Sequence, residues 1–298
     1  MERRIMIFGC GGMLGDAVYK HFSKENIVDA TDIDLSSPWV RYQDITDYAG
    51  VVSRINQFHP TEIINLAAKT DMEMCELNPD EAEDVNSFAA SFLADMCSEY
   101  DLPYVYISTA GIFGGEKEYF SDEDEPNPLS VYARTKYMGE LSARSIPQHY
   151  VIRAGWMMGG GPEKDKKFIN KIFKLIKAGS TELNVVDDKA GTPTYTVDFA
   201  KGIDALLKSK KFGVYNQVCS GSCTRYDVAC EFVRLLGANV TVNRVDSSFW
   251  SKEYFAPRPL SEKLLPNRLI KEGLYVMRDW KTCLAEYAEE FKCKNPTE

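Results

Sequence analysis

The chain has 298 residues, of which 44% are hydrophobic and 27% charged, a composition typical of a globular protein with one large domain or two ordinary ones. Its formal net charge of -9 excludes nucleic acids and anionic membranes as general partners, because no basic field would attract them. The three histidines lie far from the eight scattered cysteines and no C-x-x-C pair occurs, so we predict no metal site.

We expect the cysteines to be reduced and mostly buried, as in a cytoplasmic protein. No apolar segment reaches the length of a signal or transmembrane segment, which also predicts a cytoplasmic location. The eight cysteines are Cys10, Cys75, Cys97, Cys219, Cys223, Cys230, Cys283 and Cys293.

In chain order, short apolar runs alternate with segments of helical periodicity over the first half of the sequence. This alternation predicts an α/β fold with a Rossmann-type doubly wound parallel sheet. The predicted elements are strand Arg4–Phe8, helix Met13–Phe22, strand Asn26–Thr31, helix Tyr48–Phe58, strand Glu62–Ala67, helix Pro79–Tyr100, strand Tyr104–Ser108, helix Val131–Ser145 and strand Tyr150–Ala154.

After about residue 155 the pattern loosens, and we predict a smaller mixed α/β substrate-binding domain interleaved with the first. The dinucleotide-binding domain then comprises residues 1–155 and about 192–221, and the substrate-binding domain about 156–191 and 222–298. The predicted elements here are helix Lys166–Ala178, helix Thr192–Lys208, strand Val214–Val218, helix Cys223–Leu236 and a final helix Asp279–Phe291.

A glycine-spaced turn, Gly9, Gly12 and Gly15, follows the first predicted strand and opens a helix that includes Met13 and Leu14. Small residues allow a tight turn and close approach of a dinucleotide pyrophosphate, and the helix N-terminus presents unpaired N–H groups. The pattern G-x-x-G-x-x-G in this context predicts a nucleotide-cofactor site.

Acidic residues after the second predicted strand bear on which cofactor binds. A carboxylate at Asp32 can accept hydrogen bonds from the ribose hydroxyls and repels a 2′-phosphate, which favours NAD(H) and leaves NADP(H) open. Asp34 competes for this role. Asp44 and Ile45 are candidates for holding the adenine, although an ordinary turn explains them equally well.

A Tyr132-x-x-x-Lys136 pair lies on the predicted helix Val131–Ser145, with the phenol and the ammonium one turn apart. An ammonium nearby stabilises phenolate, so we expect Lys136 to lower the pKa of Tyr132, and Lys136 can also bind the nicotinamide ribose. Ser108 and Thr109 follow a strand that ends at the same sheet edge, where a hydroxyl can orient a substrate carbonyl. Together with the glycine turn, this arrangement predicts hydride transfer to or from a carbonyl.

These pieces, in this order, resemble an extended short-chain dehydrogenase/reductase. Over nearly the whole chain the sequence resembles the dTDP-4-dehydrorhamnose reductases within that family. The similar segments are IINLAAKTDMEMCE, ISTAGIFGG, SVYARTKYMGE, VIRAGWMMGG, VVDDKAGTPTYTVDFA and APRPLSEKLLPNRL.

The resemblance implies roles for individual residues. Those on catalytic positions are Thr109, Tyr132 and Lys136; those lining the cofactor are Ala67 and Ala68; and those contacting substrate are Thr109, Trp156 and Arg258. Lys69 and Thr70 are further candidates for substrate binding, although Lys69 fits a solvated loop residue equally well. The chain departs from the family where Ala110 and Gly111 replace its usual Asp-Tyr, and where Lys69 replaces an aromatic residue or His. These departures leave the exact sugar open.

We therefore expect NAD(P)H-dependent reduction of the 4-keto group of a nucleotide-linked deoxysugar, with Tyr132 donating the proton. The resemblance is compatible with a homodimer. Two alternatives stay open: an NAD-dependent sugar-nucleotide epimerase, and a non-catalytic regulatory subunit resembling that of methionine adenosyltransferase. A dehydratase is disfavoured because Ala110 and Gly111 stand where an extra acid/base pair would be needed.

Overall fold

The computed structural model describes residues 2–115 and 117–292, so Cys293 lies outside the described residues. The strands are β1 Arg4–Phe8, β2 Ile27–Asp32, β3 Arg41–Tyr42, β4 Glu62–Asn65, β5 Tyr104–Thr109, β6 Tyr119–Phe120, β7 His149–Ala154, β8 Trp156–Met158, β9 Glu182–Val186, β10 Ala190–Gly191, β11 Pro193–Tyr195, β12 Gly213–Asn216, β13 Cys223–Thr224, β14 Thr241–Val245 and β15 Ser261–Leu264.

The α-helices connect and cover these strands. They are α1 Met13–Phe22, α2 Tyr48–Phe58, α3 Met72–Leu77, α4 Pro79–Glu83, α5 Ala89–Glu99, α6 Val131–Arg144, α7 Gly161–Lys164, α8 Phe168–Lys177, α9 Thr196–Ser209, α10 Arg225–Leu236, α11 Asn267–Lys271 and α12 Trp280–Lys292. A π-helix at Asp84–Phe88 joins α4 to α5, and 3-10 turns cover Ala110–Ile112 and Ser247–Trp250.

The central sheet has seven strands in the order β12-β7-β5-β4-β1-β2-β3, and every pairing in it is parallel. The chain adds strands on one side of β1 and then returns to add β4 and its successors on the other. This reversal between β1 and β4 is the switch point at which doubly wound folds bind ligands. The sheet confirms the predicted Rossmann-type α/β class.

Side chains of β1 show how the sheet is buried on both faces. Ile5 and Ile7 join a core that includes residues of α1 and α9, whereas Met6 and Phe8 join a second core with residues of α2 and α5. Because successive strand residues point to opposite faces, an uninterrupted apolar run is what a strand covered by helices on both sides requires. The described cysteines are all unpaired, and only Cys230 among them is not buried.

Three predicted helices differ from those observed. The helix predicted over Cys223–Leu236 begins as β13, Cys223–Thr224, and α10 starts only at Arg225. The segment predicted as helix Thr192–Lys208 begins as β11, whose residues Pro193–Tyr195 pair with β8, and the helix starts only at Thr196. Tertiary pairing there overrides the local preference of Thr and Pro for a helix start. The predicted helix Pro79–Tyr100 is interrupted by the π-helix, where Asn86 contacts neighbouring segments.

Smaller sheets surround the carboxyl edge of the central sheet. A four-stranded sheet has the order β13-β10-β15-β6, and the pairs β11-β8 and β14-β9 are separate. All of these strands were missed from the sequence, because runs of two to five residues are too short for a periodic pattern to identify them. The proposed division into two interleaved domains stays a prediction. In the part of the chain that the structure describes, no helix is both long and apolar enough to cross a bilayer.

Candidate active site

A cleft of about 1560 Å³ opens at the carboxyl ends of the parallel strands, beside the switch point between β1 and β4. All of the predicted site residues line this one cleft. They are Gly9, Gly12, Met13, Leu14, Gly15, Asp32, Asp44, Ile45, Ala67, Ala68, Lys69, Thr70, Thr109, Tyr132, Lys136, Trp156 and Arg258.

The turn after β1 depends on glycine at its first position. Gly9 has φ +85°, and a Cβ there would lie 2.3 Å from the backbone nitrogen of Ala67 in the turn after β4. The N–H groups of Gly9 and Cys10 both donate to the carbonyl of Thr31, at 2.8 and 2.9 Å. The two turns at the switch point therefore approach each other more closely than any side chain at residue 9 would permit.

The other two glycines of the turn serve different purposes. A Cβ at Gly15 would lie 2.4 Å from Cα of Cys10, so this residue lets α1 pack closely on the preceding turn. Gly12 has no atom within 4 Å of its Cβ position, and α1 begins after it without a side-chain cap. No side chain therefore caps the first N–H groups of α1 or fills the space beside Gly12, which is a fit for an anionic pyrophosphate.

Asp32 lies at the end of β2, facing this turn. Its carboxylate accepts hydrogen bonds from the N–H groups of Gly11 (2.7 Å) and Asp34 (2.8 Å), and it lines the cleft. Asp34 itself is 3.7 Å from the ammonium of Lys166. Asp32 is therefore fixed in position, while Asp34 is partly neutralised.

Asp44 and Ile45 contribute to the cleft in different ways. The Asp44 carboxylate accepts hydrogen bonds from the N–H and the hydroxyl of Thr46, at 2.9 and 2.8 Å, and so stabilises its own turn. Ile45 is buried in the core beside α2. Both residues still line the cleft, so the turn and a contact with a ligand are compatible.

Ser108 and Thr109 diverge at the end of β5. Ser108 also lines the cleft, but its buried hydroxyl already donates to Glu140 Oε2 at 2.7 Å. The Glu140 carboxylate also accepts hydrogen bonds from Nε and Nη2 of the buried Arg153, at 3.2 and 2.6 Å. Thr109 is half-buried and lines the cleft, which leaves it as the hydroxyl available to a ligand.

Tyr132 and Lys136 lie on the cleft side of α6. Burial raises the pKa of Tyr132 to about 12, although a hydrogen bond with Thr109 lowers it in part. Burial lowers the pKa of Lys136 to about 7, opposed by the charge of Glu140, and its Nζ lies 4.1 Å from the ring centroid of Tyr106. The expected lowering of the Tyr132 pKa is thus wrong for this structure, because burial dominates the shift and Lys136 is not among the groups that change it.

Lys69 and Thr70, after β4, form the rim of the cleft. The exposed Lys69 ammonium is 3.1 Å from Glu81 Oε2. Its backbone N–H and carbonyl are held by the amide of Asn86, at 2.9 and 3.0 Å. Lys167 Nζ donates to the carbonyl and the hydroxyl of Thr70, both at 3.1 Å. The rim is therefore connected to the π-helix on one side and, on the other, to Lys167, the residue before α8.

Trp156 is held by three contacts on the far wall of the cleft. Its Nε1 donates to Glu262 Oε2 at 2.6 Å, and the guanidinium carbon of Arg225 lies 3.9 Å from the centre of its ring. The other contact is with Gly191, where a Cβ would lie 2.5 Å from the indole. Burial lowers the pKa of Arg225 to about 10, opposed by the charge of Glu262.

Arg258 forms an ion pair with Glu73 at 2.8 Å and donates to the carbonyl of Ala256 at 2.9 Å. The ammonium of Lys189 donates to the carbonyls of Arg258 and Pro259, at 3.0 and 3.4 Å. The segment that carries Arg258 is therefore anchored at the cleft wall.

The cleft residues that were not anticipated from the sequence include Lys167, Lys189, Arg225 and Glu262. The two lysines lie in segments where charged residues are common. Arg225 and Glu262 come from the starts of α10 and β15, and the sequence places neither near Trp156. For Glu262, the signal was its position in the segment after Arg258 that resembles the reductases.

The chain is similar to known proteins in both sequence and structure. Residues 3–293 match the family described as RmlD substrate binding domain. The dTDP-4-keto-6-deoxy-D-glucose reductase of Streptomyces niveus is 31% identical over 293 residues, covering 96% of each protein. The crystal structure of a dTDP-4-dehydrorhamnose reductase from Clostridium acetobutylicum has a TM-score of 0.88 at 33% identity, covering 97% of this chain and 99% of that one.

A crystal structure of dTDP-4-dehydrorhamnose reductase from Bacillus anthracis, in complex with NADP, has a TM-score of 0.89 at 26% identity. It covers 97% of this chain and 100% of that one. The similarity therefore extends over the whole described fold, including the segments that form the far wall of the cleft.

Proposed function

The chain belongs to the RmlD substrate-binding-domain family, and from that premise we propose that it reduces the 4-keto group of a nucleotide-linked deoxysugar with NAD(P)H. The observation that carries this proposal is that Thr109, Tyr132 and Lys136 line the same cleft as an uncapped, glycine-lined helix N-terminus. The reductases of Streptomyces niveus and Clostridium acetobutylicum support the same reaction class.

The turn after β1 would hold the cofactor pyrophosphate on the first N–H groups of α1, where Gly12 leaves room for it. Ala67 and Ala68, after β4, would line the cofactor on the other side of the switch point. When bound, the nicotinamide supplies the hydride that the carbonyl carbon receives.

Tyr132 would donate the proton that the carbonyl oxygen needs as the hydride arrives at carbon. Its raised pKa keeps the phenol protonated at neutral pH, which is the form that a reductase requires. Thr109, hydrogen-bonded to Tyr132, would orient the carbonyl oxygen. Lys136 would donate to the nicotinamide ribose and, when protonated, stabilise the phenolate that remains until solvent returns the proton.

The substrate diphosphate would be bound by cationic side chains around the far end of the cleft. Lys167, Lys189 and Arg258 line it, and burial lowers the pKa of Lys167 in the absence of an anion. A guanidinium also binds phosphate oxygens in a bidentate manner. We propose a dTDP-linked 4-keto-6-deoxyhexose as substrate, in line with the activities for which the two reductases above are named.

The experiment that tests this function follows NADH and NADPH oxidation at 340 nm with a panel of nucleotide-linked 4-keto-6-deoxysugars. Turnover that depends on the sugar nucleotide would support the reductase. Absence of turnover across the panel, with cofactor bound, would contradict it and favour the epimerase or the regulatory subunit. Product analysis by NMR would identify the configuration at the reduced carbon.

We further propose that NADH is the preferred coenzyme, because the fixed Asp32 carboxylate repels a 2′-phosphate. Asp32→Asn keeps one oxygen for the loop N–H groups but removes the charge. We expect it to raise the NADPH-to-NADH ratio of kcat/KM by about tenfold. Asp34→Asn is the matched control, and an unchanged ratio in Asp32→Asn would contradict the assignment.

A further inference from the structure

The end of β5 leaves an empty volume beside the catalytic side chains. Ala110 and Gly111 follow Thr109 there, and neither carries a polar side chain. A Cβ built on Gly111 would lie 3.4 Å from Thr109 Oγ1 and 3.5 Å from Glu262 Oε1. The Thr109 hydroxyl and the Glu262 carboxylate therefore border the same small space, although they lie far apart in sequence.

Glu262 is held so that one carboxylate oxygen faces this space. Oε2 accepts the 2.6 Å hydrogen bond from Trp156 Nε1, and the indole is fixed between Gly191 and Arg225. Oε1 has no hydrogen-bond donor among the described residues. Glu262 lines the cleft, and a half-buried carboxylate with one oxygen satisfied and the other without a donor is pre-organised to accept a hydrogen bond from a ligand.

We propose that Glu262 is a specificity-determining residue that accepts a hydrogen bond from the C3 hydroxyl of the 4-keto sugar. This inference rests on the proposed function, because Thr109 and Tyr132 then place the C4 carbonyl beside the Glu262 carboxylate. Of the two carbons next to C4 in a 6-deoxyhexose, C3 carries a hydroxyl and C5 carries the methyl group and the ring oxygen. Only C3 therefore offers a donor to an anionic acceptor.

The charge of Glu262 also suits the proton donor. The pKa of Tyr132 is raised first by burial and then by the negative charge of Glu262, so the phenol keeps its proton until the carbonyl oxygen requires it. The guanidinium of Arg225 lies over the Trp156 ring and partly offsets the negative charge of Glu262, although no ion pair joins Arg225 and Glu262 in the described structure. Binding and proton donation are thus served by the same carboxylate.

The test compares two substrates, a dTDP-4-keto-6-deoxyhexose and its 3-deoxy analogue, in the wild type and in Glu262→Gln. Wild type should prefer the 3-hydroxy compound. Glu262→Gln should lose about tenfold in kcat/KM for that compound, because hydrogen bonds to charged groups are the stronger ones. Its kcat/KM for the 3-deoxy analogue should change less than about threefold, since no hydroxyl is lost there.

Glu262→Asp is a second variant, which keeps the charge but shortens its reach and should also lose the preference for the 3-hydroxy substrate. Glu118→Gln is the matched control, because Glu118 pairs with Lys263 beside the same strand but outside the cleft. Calorimetric binding of both compounds to each variant gives the same ratio without turnover. It also shows that the variants are folded.

The outcomes separate the two proposals. Wild type that binds and discriminates the compounds but turns neither over would contradict the reductase while supporting the role of Glu262. Equal discrimination by wild type, Glu262→Gln and Glu262→Asp would overturn the role of Glu262, even if wild type reduces the 3-hydroxy compound efficiently.

Discussion

Tyr132 and Lys136 illustrate how burial sets the chemistry of single residues in this cleft. Desolvation favours the neutral form of each side chain, and it therefore moves the two pKa values in opposite directions. A protonated phenol suits proton donation to a ketone. A lysine whose pKa lies near 7 gains charge most readily when a ligand supplies hydrogen-bond acceptors to it.

Tyr132→Phe removes the proposed proton donor and leaves the ring in place. We expect turnover on the true substrate to fall by about 10²- to 10⁴-fold, the usual contribution of general acid catalysis. NADH affinity, measured by fluorescence titration, should stay within about threefold. Tyr137→Phe, on the same helix, is the control, and near-wild-type turnover in Tyr132→Phe would contradict the mechanism.

Lys136→Met tests the cost of burying the ammonium. The folded-state pKa, about 7, lies below the value of about 10.4 expected when unfolded, so the unfolded chain binds more protons between these values. The free-energy cost of burying the charged ammonium is complete below pH 7 and decreases as pH rises above it. We expect the cofactor-free variant to be more stable than wild type by about 1–3 kcal/mol at pH 6, and by less at pH 9.

Urea denaturation at the two pH values measures this difference. Lys20→Met is the control, since Lys20 is exposed in an ion pair with Asp16 on α1. A stability difference for Lys136→Met that does not change between pH 6 and pH 9 would refute the titration of Lys136 as its origin.

The site residues differ in how readily the sequence predicts them. Tyr132 and Lys136 are detectable because both lie on one helix at a fixed spacing, and the glycine turn because its strand and helix are contiguous. Glu262 and Arg225 depend on the packing of β15 and α10 against Trp156, which no local pattern encodes. The direction of the Tyr132 pKa shift also required the structure, because burial is a property of the assembled cleft.

At the scale of elements, the pair formed by Glu140 and Arg153 joins α6 to β7 beneath the cleft. Both side chains are almost completely buried, and the Ser108 hydroxyl of β5 donates to the same carboxylate. The pair thus holds the helix that carries Tyr132 against two neighbouring strands. A helix connected in this way keeps the phenol at a fixed height above the sheet edge.

Glu140→Ala would leave the Arg153 guanidinium buried without its counter-charge. We expect a loss of about 3–5 kcal/mol in the free energy of unfolding, which urea denaturation measures. The control is Glu231→Ala on α10, where the ion pair with Arg234 has the same 2.6 Å distance but a largely exposed guanidinium, and where we expect at most about 1 kcal/mol. Equal losses in the two variants would contradict the role of burial.

Six of the seven strands of the central sheet were predicted, because their apolar runs are buried, whereas β3, with both residues exposed, was missed. The predicted start of α9 was wrong, since β11 forms only through pairing with β8. The short strands β6, β10 and β13 exist for the same reason, and a two-residue strand has no sequence pattern of its own. The far wall of the cleft is built from such pairings, so it was the least predictable part of the fold.

At the scale of the whole molecule, the charge distribution is uneven. The chain carries a formal net charge of -9, yet Lys167, Lys189, Arg225 and Arg258 all line the cleft. An anionic cofactor or substrate is therefore repelled by the general surface and attracted within the cleft, which favours binding at this one place. Because the cleft is lined by segments from Gly9 to Glu262, its ligands connect distant parts of the chain.

This arrangement predicts that cofactor stabilises the entire fold. NADH at about 100 times its Kd should increase the free energy of unfolding by about 2.7 kcal/mol, seen as a rise in the thermal midpoint. Gly12→Val places a side chain where the pyrophosphate would lie, and this variant should fold but show no such rise. Gly12→Ala should show an intermediate response, and full stabilisation of Gly12→Val would contradict the assignment of the turn.

The π-helix at Asp84–Phe88 has a consequence for how this protein tolerates insertions and deletions. Asn86 lies at its centre, where its amide holds the backbone of Lys69 and the hydroxyl of Thr135. Removing one residue from this turn would restore regular α-helical winding and displace Asn86 from the three groups that its amide contacts. Insertions and deletions are therefore expected to be selected against at this turn, whereas single substitutions within a helix are usually accepted.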